Sequence, residues 1–381
     1  MDQFEKWYAD RLDYQREWKN KTGKEVVGYF CTYTPEEILY AFDILPVRIL
    51  GTHEPPNISS SHIPGMFCPF SRDVLAQGLL GRYDHLDGII LAQSCLHLRG
   101  AFSSWEIHRG PIWNHYLPMP NHVQSERSIP FLVEEYKLLI ENLERLTGRK
   151  IGDDDLQRGI IKKNNVRKVL RDIYQTRRTD NPPITGAESM GVACARFFTH
   201  ADDFLKEATL LLESLQTRRL KRDPGNRIML VGSESDDVEF LKMIENLGET
   251  ASVGCTVVVE DLCTTTRDFW DLVDTSSQDP LKAIAVRYVN RTPCPTKDWP
   301  QRLRIDTIMD LAREYRVDGV IFAHQKFCDP HENDMPFIRK RLEDNGIPTY
   351  FLEFDVTEPA GPLATRVEAF LETLDATDDL F

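Results

Sequence analysis

Two short apolar runs in this chain are built alike. Asp87-Gly88-Ile89-Ile90-Leu91-Ala92 and Asp318-Gly319-Val320-Ile321-Phe322-Ala323 each join an Asp-Gly step to an unbroken hydrophobic stretch, then pass through a polar break to a cysteine, Cys95 or Cys328. Unbroken runs of this length predict strands buried on both faces of a parallel sheet. The flanking pattern alternates strand and helix signals. Val26 to Cys31 and Leu45 to Leu50 read as strands, and Gly88 to Gln93 as a third. Between them, Thr34-Pro35-Glu36-Glu37 reads as a helix start with Thr34 as N-cap, and Ser71 to Leu80 as a helix capped by Ser71. From Glu126 to Gln216 the spacing turns helical (Phe131, Tyr136, Leu139, Ile140, Leu143), interrupted by Asp180-Asn181-Pro182-Pro183. Beyond the turn-rich link Arg218–Gly225, strands are expected at Ile228 to Val231, Thr256 to Val259, Gly319 to Ala323 and Thr349 to Leu352. Helices are expected near Asp237 to Leu247, Pro300 to Tyr315, Glu332 to Asn345 and Pro362 to Leu374.

This rhythm predicts an α/β protein with two parallel-sheet, Rossmann/flavodoxin-like domains and a helical insert. The expected boundaries are 1–125 for the first α/β domain, 126–224 for the helical subdomain and 225–381 for the second α/β domain. In such sheets ligands bind at the carboxyl ends of strands, which is where both runs deliver their cysteines.

Composition narrows the class. A net charge of -14 argues against nucleic acid or an anionic membrane surface as partner. No apolar stretch approaches a membrane span, and the charged start Met1-Asp2-Gln3-Phe4-Glu5-Lys6 lacks a signal-peptide core, so a cytoplasmic location is expected. There is no G-x-x-x-x-G-K-[ST] loop, so any ATP coupling would come through a partner. Gly232-Ser233-Glu234-Ser235 lacks the glycine spacing of a dinucleotide loop and reads as a turn. Arg218, Arg219, Lys221 and Arg222 form the densest basic cluster, either a phosphate contact or a solvated helix end.

The eight cysteines include no C-x-x-C pair, so a metal site would have to be assembled from distant positions. Cys68 precedes a helix start, which favours thiolate, while Cys95 and Cys328 follow strands. Each alone reads equally as a buried filler; together they form a candidate metal site. Cys31, Cys194 and Cys255 fall in expected strands or a helix and read as fillers. Gln93, Ser94, His97, His324, Gln325 and His331 could hydrogen-bond such a site or donate protons, or could cap helices and satisfy loops.

The segments Gly28–Glu37, Leu45–Arg48, Cys68–Asp73, Gln93–His97 and Gln325–Glu332 together resemble the benzoyl-CoA reductase and 2-hydroxyacyl-CoA dehydratase family, most of all one of the two catalytic subunits of ATP-dependent class I benzoyl-CoA reductase. The resemblance spans nearly the whole chain. It implies an iron–sulfur cluster, typically [4Fe-4S], held between domains by Cys68, Cys95 and Cys328. Ser71 stands where relatives carry a further cysteine. It also implies dearomatisation of an aromatic acyl-CoA by single electrons, with a homologous second catalytic subunit, an ATP-hydrolysing iron–sulfur activator and ferredoxin as indirect donor. The alternatives are a 2-hydroxyacyl-CoA dehydratase subunit, in which the electron is recycled, and a non-catalytic electron-relay or scaffold subunit. A structural zinc protein is a further alternative, poorly served by three thiolates.

Overall fold

The computed structural model describes residues 1–110, 112–250, 253–356 and 360–378. Two helices, α1 (Asp2–Ala9) and α2 (Arg11–Thr22), lead into β1 (Val26–Tyr29), α3 (Glu36–Ala41), β2 (Leu45–Arg48), α4 (Pro69–Leu79), β3 (Gly88–Ala92), α5 (Leu96–Arg109) and β4 (Trp113–Leu117). These strands form one parallel sheet of order β2-β1-β3-β4. Four helices follow, α6 (Ser128–Thr147), α7 (Asp153–Gln175), α8 (Gly186–Ala195) and α9 (Ala201–Leu215). The second sheet comes from β5 (Asn226–Gly232), β6 (Cys255–Asp261), β7 (Gly319–Gln325) and β8 (Thr349–Phe354), parallel and ordered β6-β5-β7-β8. Its helices are α10 (Val238–Glu245), the short α11 (Leu247–Thr250) and α12 (Thr266–Phe269), then α13 (Pro280–Asn290), α14 (Leu303–Glu314), α15 (Asp329–Glu343) and α16 (Ala360–Asp378).

The two sheets repeat one plan. In each, the first strand is central, the second lies on one side and the third on the other, so the chain reverses direction across the sheet between β1 and β3 and between β5 and β7. Those reversals are the places where open α/β sheets leave a crevice for ligands. The echoed Asp-Gly steps explain themselves here. Asp87 Oδ2 accepts the Val26 N–H at 2.8 Å and Asp318 Oδ2 accepts the Arg227 N–H at 2.7 Å, each carboxylate tying the start of its strand to the central neighbour. Gly232 closes β5 where an added Cβ would lie 2.2 Å from the Ala323 carbonyl oxygen of β7, so only glycine allows the two central strands to run together beneath the crevice.

Strands β1, β3 and β6 are buried at every position, as their unbroken apolar runs require. β4 was not evident from the sequence because Trp113-Asn114-His115-Tyr116-Leu117 is an edge strand with half-exposed and polar positions. β1 stops at Tyr29, so Cys31 belongs to the following loop and not to a strand. The N-cap of α3 is Pro35, with no side-chain cap from Thr34. Helix α4 starts two residues before the expected Ser71: Cys68 is its N-cap, and the Ser71 hydroxyl turns back to donate to the Cys68 carbonyl oxygen at 2.8 Å.

Helices from distant parts of the chain interleave around the sheets. α13 packs on α6 and α7, α1 on α8, and α3 on α7. At the last contact a buried ionic network forms. Lys163 Nζ lies 2.7 Å from Glu36, Arg167 2.6 Å from Glu37, and Asp268 faces Arg196 at 2.7 Å, Arg291 at 3.6 Å and Lys163 at 4.0 Å. Among the described residues no helix is long and apolar enough to cross a membrane.

Candidate functional site

The carboxyl ends of both sheets open into one cavity. It receives Cys31 and Tyr33 after β1, Arg48 from the end of β2, Cys68 and Phe70 at the start of α4, and Ser94 and Cys95 after β3. From the second sheet it receives Ser233 and Glu234 after β5, Cys263 and Arg267 after β6, Gln325 and Cys328 after β7, and Arg291, Cys294 and Thr296 after α13. Six of the eight cysteines therefore line a single space. Cys194 lies inside α8 and Cys255 at the start of β6, both buried and away from it.

Cys68, Cys95 and Cys328 come together here from three separate loops. Each is the N-cap of a helix, α4, α5 and α15 respectively. Phe327, just before Cys328, has φ +62°, a strained backbone for a bulky residue, and this turn delivers the thiol into the cavity. The Cys68 N–H donates to His97 Nδ1 at 3.2 Å, and the Cys68 thiol lies 3.4 Å from the Ser71 hydroxyl.

The expectation that a helix start would favour thiolate at Cys68 does not hold. Burial pushes the Cys68 thiol up, outweighing the Ser71 hydrogen bond. Burial likewise raises Cys95 to about 12, with Cys68 adding to it, and holds Cys328 well above the ordinary thiol range, with Cys68 and Cys95 adding. The thiols therefore carry their protons until a cation displaces them.

Gln325 bridges the two halves. Its Oε1 accepts the Phe70 N–H at 3.0 Å and its Nε2 donates to the Glu234 carbonyl oxygen at 2.7 Å. Ser94 lines the cavity with a buried hydroxyl that has no hydrogen-bond partner among the described residues. Gln93 and His324 stand outside the cavity lining. Gln93 is engaged through its backbone N–H with Leu117, and His324 is buried near the Phe351 ring. His331 lines the cavity fully buried, with ring nitrogens 3.4 Å from Arg267 and Arg304; burial and these cations keep it neutral.

Sequence reasoning missed the basic half of the lining. Arg48 is buried 3.8 Å from Glu234 and stacks on Phe197, while its Nε and Nη1 have no hydrogen-bond partner among the described residues. Arg267 Nη2 lies 3.4 Å from the Cys263 sulfur, and Arg291 stacks over Tyr33 at 4.1 Å. Among the described residues Glu234 is the one carboxyl in the lining. Burial first, then Asp236, raises it to about 8, against the pull of Arg48. These positions, at the end of β2, within α12 and just after α13, carried no shared periodic signal, so only the fold could assemble them.

The basic cluster Arg218–Arg222 does not line this cavity, and two of its members are paired. Arg218 meets Glu188 at 2.6 Å, and Arg222 meets Glu245 at 3.2 Å. The Gly232–Ser235 turn, in contrast, forms part of the cavity wall. Among the described residues no group of three or more His, Cys, Asp or Glu side chains is arranged to hold a single metal ion.

Comparison with known proteins gives one consistent picture. The profile of the family described as 2-hydroxyglutaryl-CoA dehydratase, D-component, matches residues 31–374. The chain is 28% identical to the (R)-phenyllactyl-CoA dehydratase beta subunit of Clostridium sporogenes, with 93% of each chain covered. It is 25% identical to a benzoyl-CoA reductase subunit of Thauera aromatica, covering 94% of this chain and 93% of that one. It is 23% identical to the (R)-2-hydroxyglutaryl-CoA dehydratase beta subunit of Acidaminococcus fermentans, covering 92% and 93%.

Proposed function

The chain belongs to the 2-hydroxyglutaryl-CoA dehydratase D-component family, and from that premise we propose that it is an iron–sulfur subunit acting on an acyl-CoA thioester by one-electron chemistry, of the 2-hydroxyacyl-CoA dehydratase type. The observation that carries this reading is the convergence of Cys68, Cys95 and Cys328 from three loops into the crevice of both sheets. The lining fits such a guest: soft thiol donors and, among the described residues, buried arginines with N–H groups and a Ser94 hydroxyl that have no hydrogen-bond partner.

Cys68, Cys95 and Cys328 would hold the cluster. When bound it would supply a single electron at low potential to the thioester carbonyl. Ser71 and His97 position Cys68. Phe30, Phe70, Leu98 and Pro330 wall off water. Glu234, protonated near neutral pH, holds an exchangeable proton inside the cavity. Met66, Leu96 and Phe327, each within two residues of one of the three cysteines, are 66%, 71% and 45% exposed. Apolar groups left open so close to the ligand loops suit a partner protein that covers the site. An ATP-hydrolysing activator and ferredoxin would deliver the electron from outside, since this chain has no P-loop.

An aromatic acyl-CoA reductase is the second reading, favoured by the match to the benzoyl-CoA reductase chain of Thauera aromatica. Electron accounting separates the two in anaerobically purified, iron-loaded protein together with its partner subunit. A dehydratase converts many molecules of (R)-phenyllactyl-CoA for each electron supplied, whereas a reductase consumes a pair of electrons for every benzoyl-CoA. If neither thioester is converted, and neither perturbs the EPR spectrum of the reduced protein, both readings fail.

A further inference from the structure

The crevice shares part of its wall with a second cavity of about 540 Å³, whose polar side is formed by Tyr8, Thr52, His53, Ser235 and Asp237. Among the described residues Glu234 and Gln325 are the two that line both spaces. Gln325 acts as a brace, through its bonds to the Phe70 N–H and the Glu234 carbonyl oxygen. The Glu234 side chain is buried, and its Oε1 has no hydrogen-bond partner among the described residues. On the same loop after β5, Asp236 is buried as well, its Oδ2 likewise without a partner among the described residues and its Oδ1 2.9 Å from His53 Nε2. The His53 ring is 40% exposed, so this line of groups runs from the crevice to solvent.

We infer that Glu234, Asp236 and His53 form a proton route that joins the crevice to the second cavity and, through it, to solvent.

The inference deepens the function proposed above, on which it rests for the use made of the proton. One-electron chemistry on a thioester needs protons to enter and leave a crevice walled by Phe30, Phe70, Leu98 and Pro330. His331, also in the lining, backs onto a pocket of about 10 Å³, room for roughly one water. Behind Glu234 lies the large cavity instead. Asp236 is the charge that acts most strongly on Glu234, followed by Arg48, His53 and Asp73. The loop after β2 is built to present His53. Asp73 Oδ2 accepts the Thr52 and His53 N–H groups at 2.9 and 3.0 Å, and His53 holds φ +59°, a backbone conformation uncommon outside glycine that its surroundings must enforce. The Tyr8 hydroxyl donates to the Asp236 carbonyl oxygen at 2.7 Å and fixes the other side of the contact.

In one passage Glu234 gives its carboxyl proton to a basic atom in the crevice and is left as a carboxylate. Asp236 relays a proton to it from the His53 imidazolium, and His53 recovers one from solvent, so no electron moves and each group returns to its starting state. The same steps in reverse expel a proton.

The test is the rate at which the Glu234 carboxyl takes up deuterium, followed by infrared spectroscopy after full-length protein, purified without oxygen, is mixed into D2O near neutral pD. Its band is the one missing from Glu234→Gln, or shifted in Glu234→Asp should the first variant fail to fold by circular dichroism. His53→Gln, which removes a cation and so leaves Glu234 the more firmly protonated, is expected to slow deuteration by about tenfold or more, and added imidazole to restore it. Loosening of the fold would speed exchange, so a purely structural role for His53 does not produce the slowing. An unchanged or faster rate, slowing that imidazole does not relieve, or a wild type without a Glu234 carboxyl band overturns the inference. No acyl-CoA enters the measurement, so its outcome is separate from that of the electron accounting.

Discussion

Replacing Asp268 by Asn tests the buried scaffold beneath the site. Asp268 is 1% exposed; its carboxylate faces Arg196 at 2.7 Å, Arg291 at 3.6 Å and Lys163 at 4.0 Å. Those cations hold its carboxyl far below the usual range despite burial. An amide removes the negative charge and sets N–H donors against cations that are 3% exposed or less. Breaking a buried pair in this way costs about 3–5 kcal/mol. For a chain of this length the unfolding entropy is roughly 0.8 kcal/mol per degree, so the thermal midpoint should fall by about 4–6 °C. Because the folded carboxyl lies below its unfolded value, its stabilisation is complete above the ordinary carboxylate range and fades as pH falls through the folded value. The full loss is therefore expected at pH 7 by differential scanning fluorimetry, and a smaller one near pH 4. Arg291, which lines the cavity, loses an anchor at the same time. A midpoint change under about 1 °C at pH 7 would refute the argument that this network supports the site.

Three further perturbations follow from the geometry. Gly232→Ala places a methyl group against the Ala323 carbonyl and should cost about 1–3 kcal/mol in urea unfolding; a neutral result would mean that β5 and β7 can separate freely. Gln325→Leu leaves the Phe70 N–H and Glu234 carbonyl unpaired at about 1–3 kcal/mol each, and should speed amide exchange at the start of α4. His53 meets Asp236 at 2.9 Å across the two halves and is raised to about 10, burial opposing and Asp236 driving the shift. Its contribution is complete below about pH 6.5, declines above it and is gone beyond about pH 10. With the ring 40% exposed, solvent limits that contribution to about 1 kcal/mol, so His53→Gln should be destabilised at pH 6 and match wild type at pH 10.5.

The elements that could be read from the sequence are those whose signal is local. The Asp-Gly strands β3 and β7 stood out because each is buried on both faces and each aspartate serves the neighbouring strand. The long helices α6 and α7 followed from their apolar spacing. Cys31 was assigned to a strand because Phe30-Cys31 extends an apolar run, although β1 ends at Tyr29. Ser71 was a reasonable N-cap, but Pro69 at the first position moves the helix start to Cys68. Helix α13 was not evident from the sequence, and with it the approach of Arg291 and Cys294 to the cavity. The partners of Glu36 and Glu37 lie on α7, more than 120 residues away in the chain, so the sequence showed these acids only as part of a helix start, whereas the fold makes them buried ion-pair partners. Charges that pair across the fold leave no periodic trace in a single sequence.

The central claim is that the crevice shared by the two sheets is a metal centre. Anomalous diffraction at the iron absorption edge, from crystals of protein purified without oxygen, tests it most directly. Strong peaks are expected inside the cavity, within bonding distance of Cys68, Cys95 and Cys328. A crevice without iron signal in crystals of iron-loaded protein, or iron bound elsewhere on the chain, would contradict it.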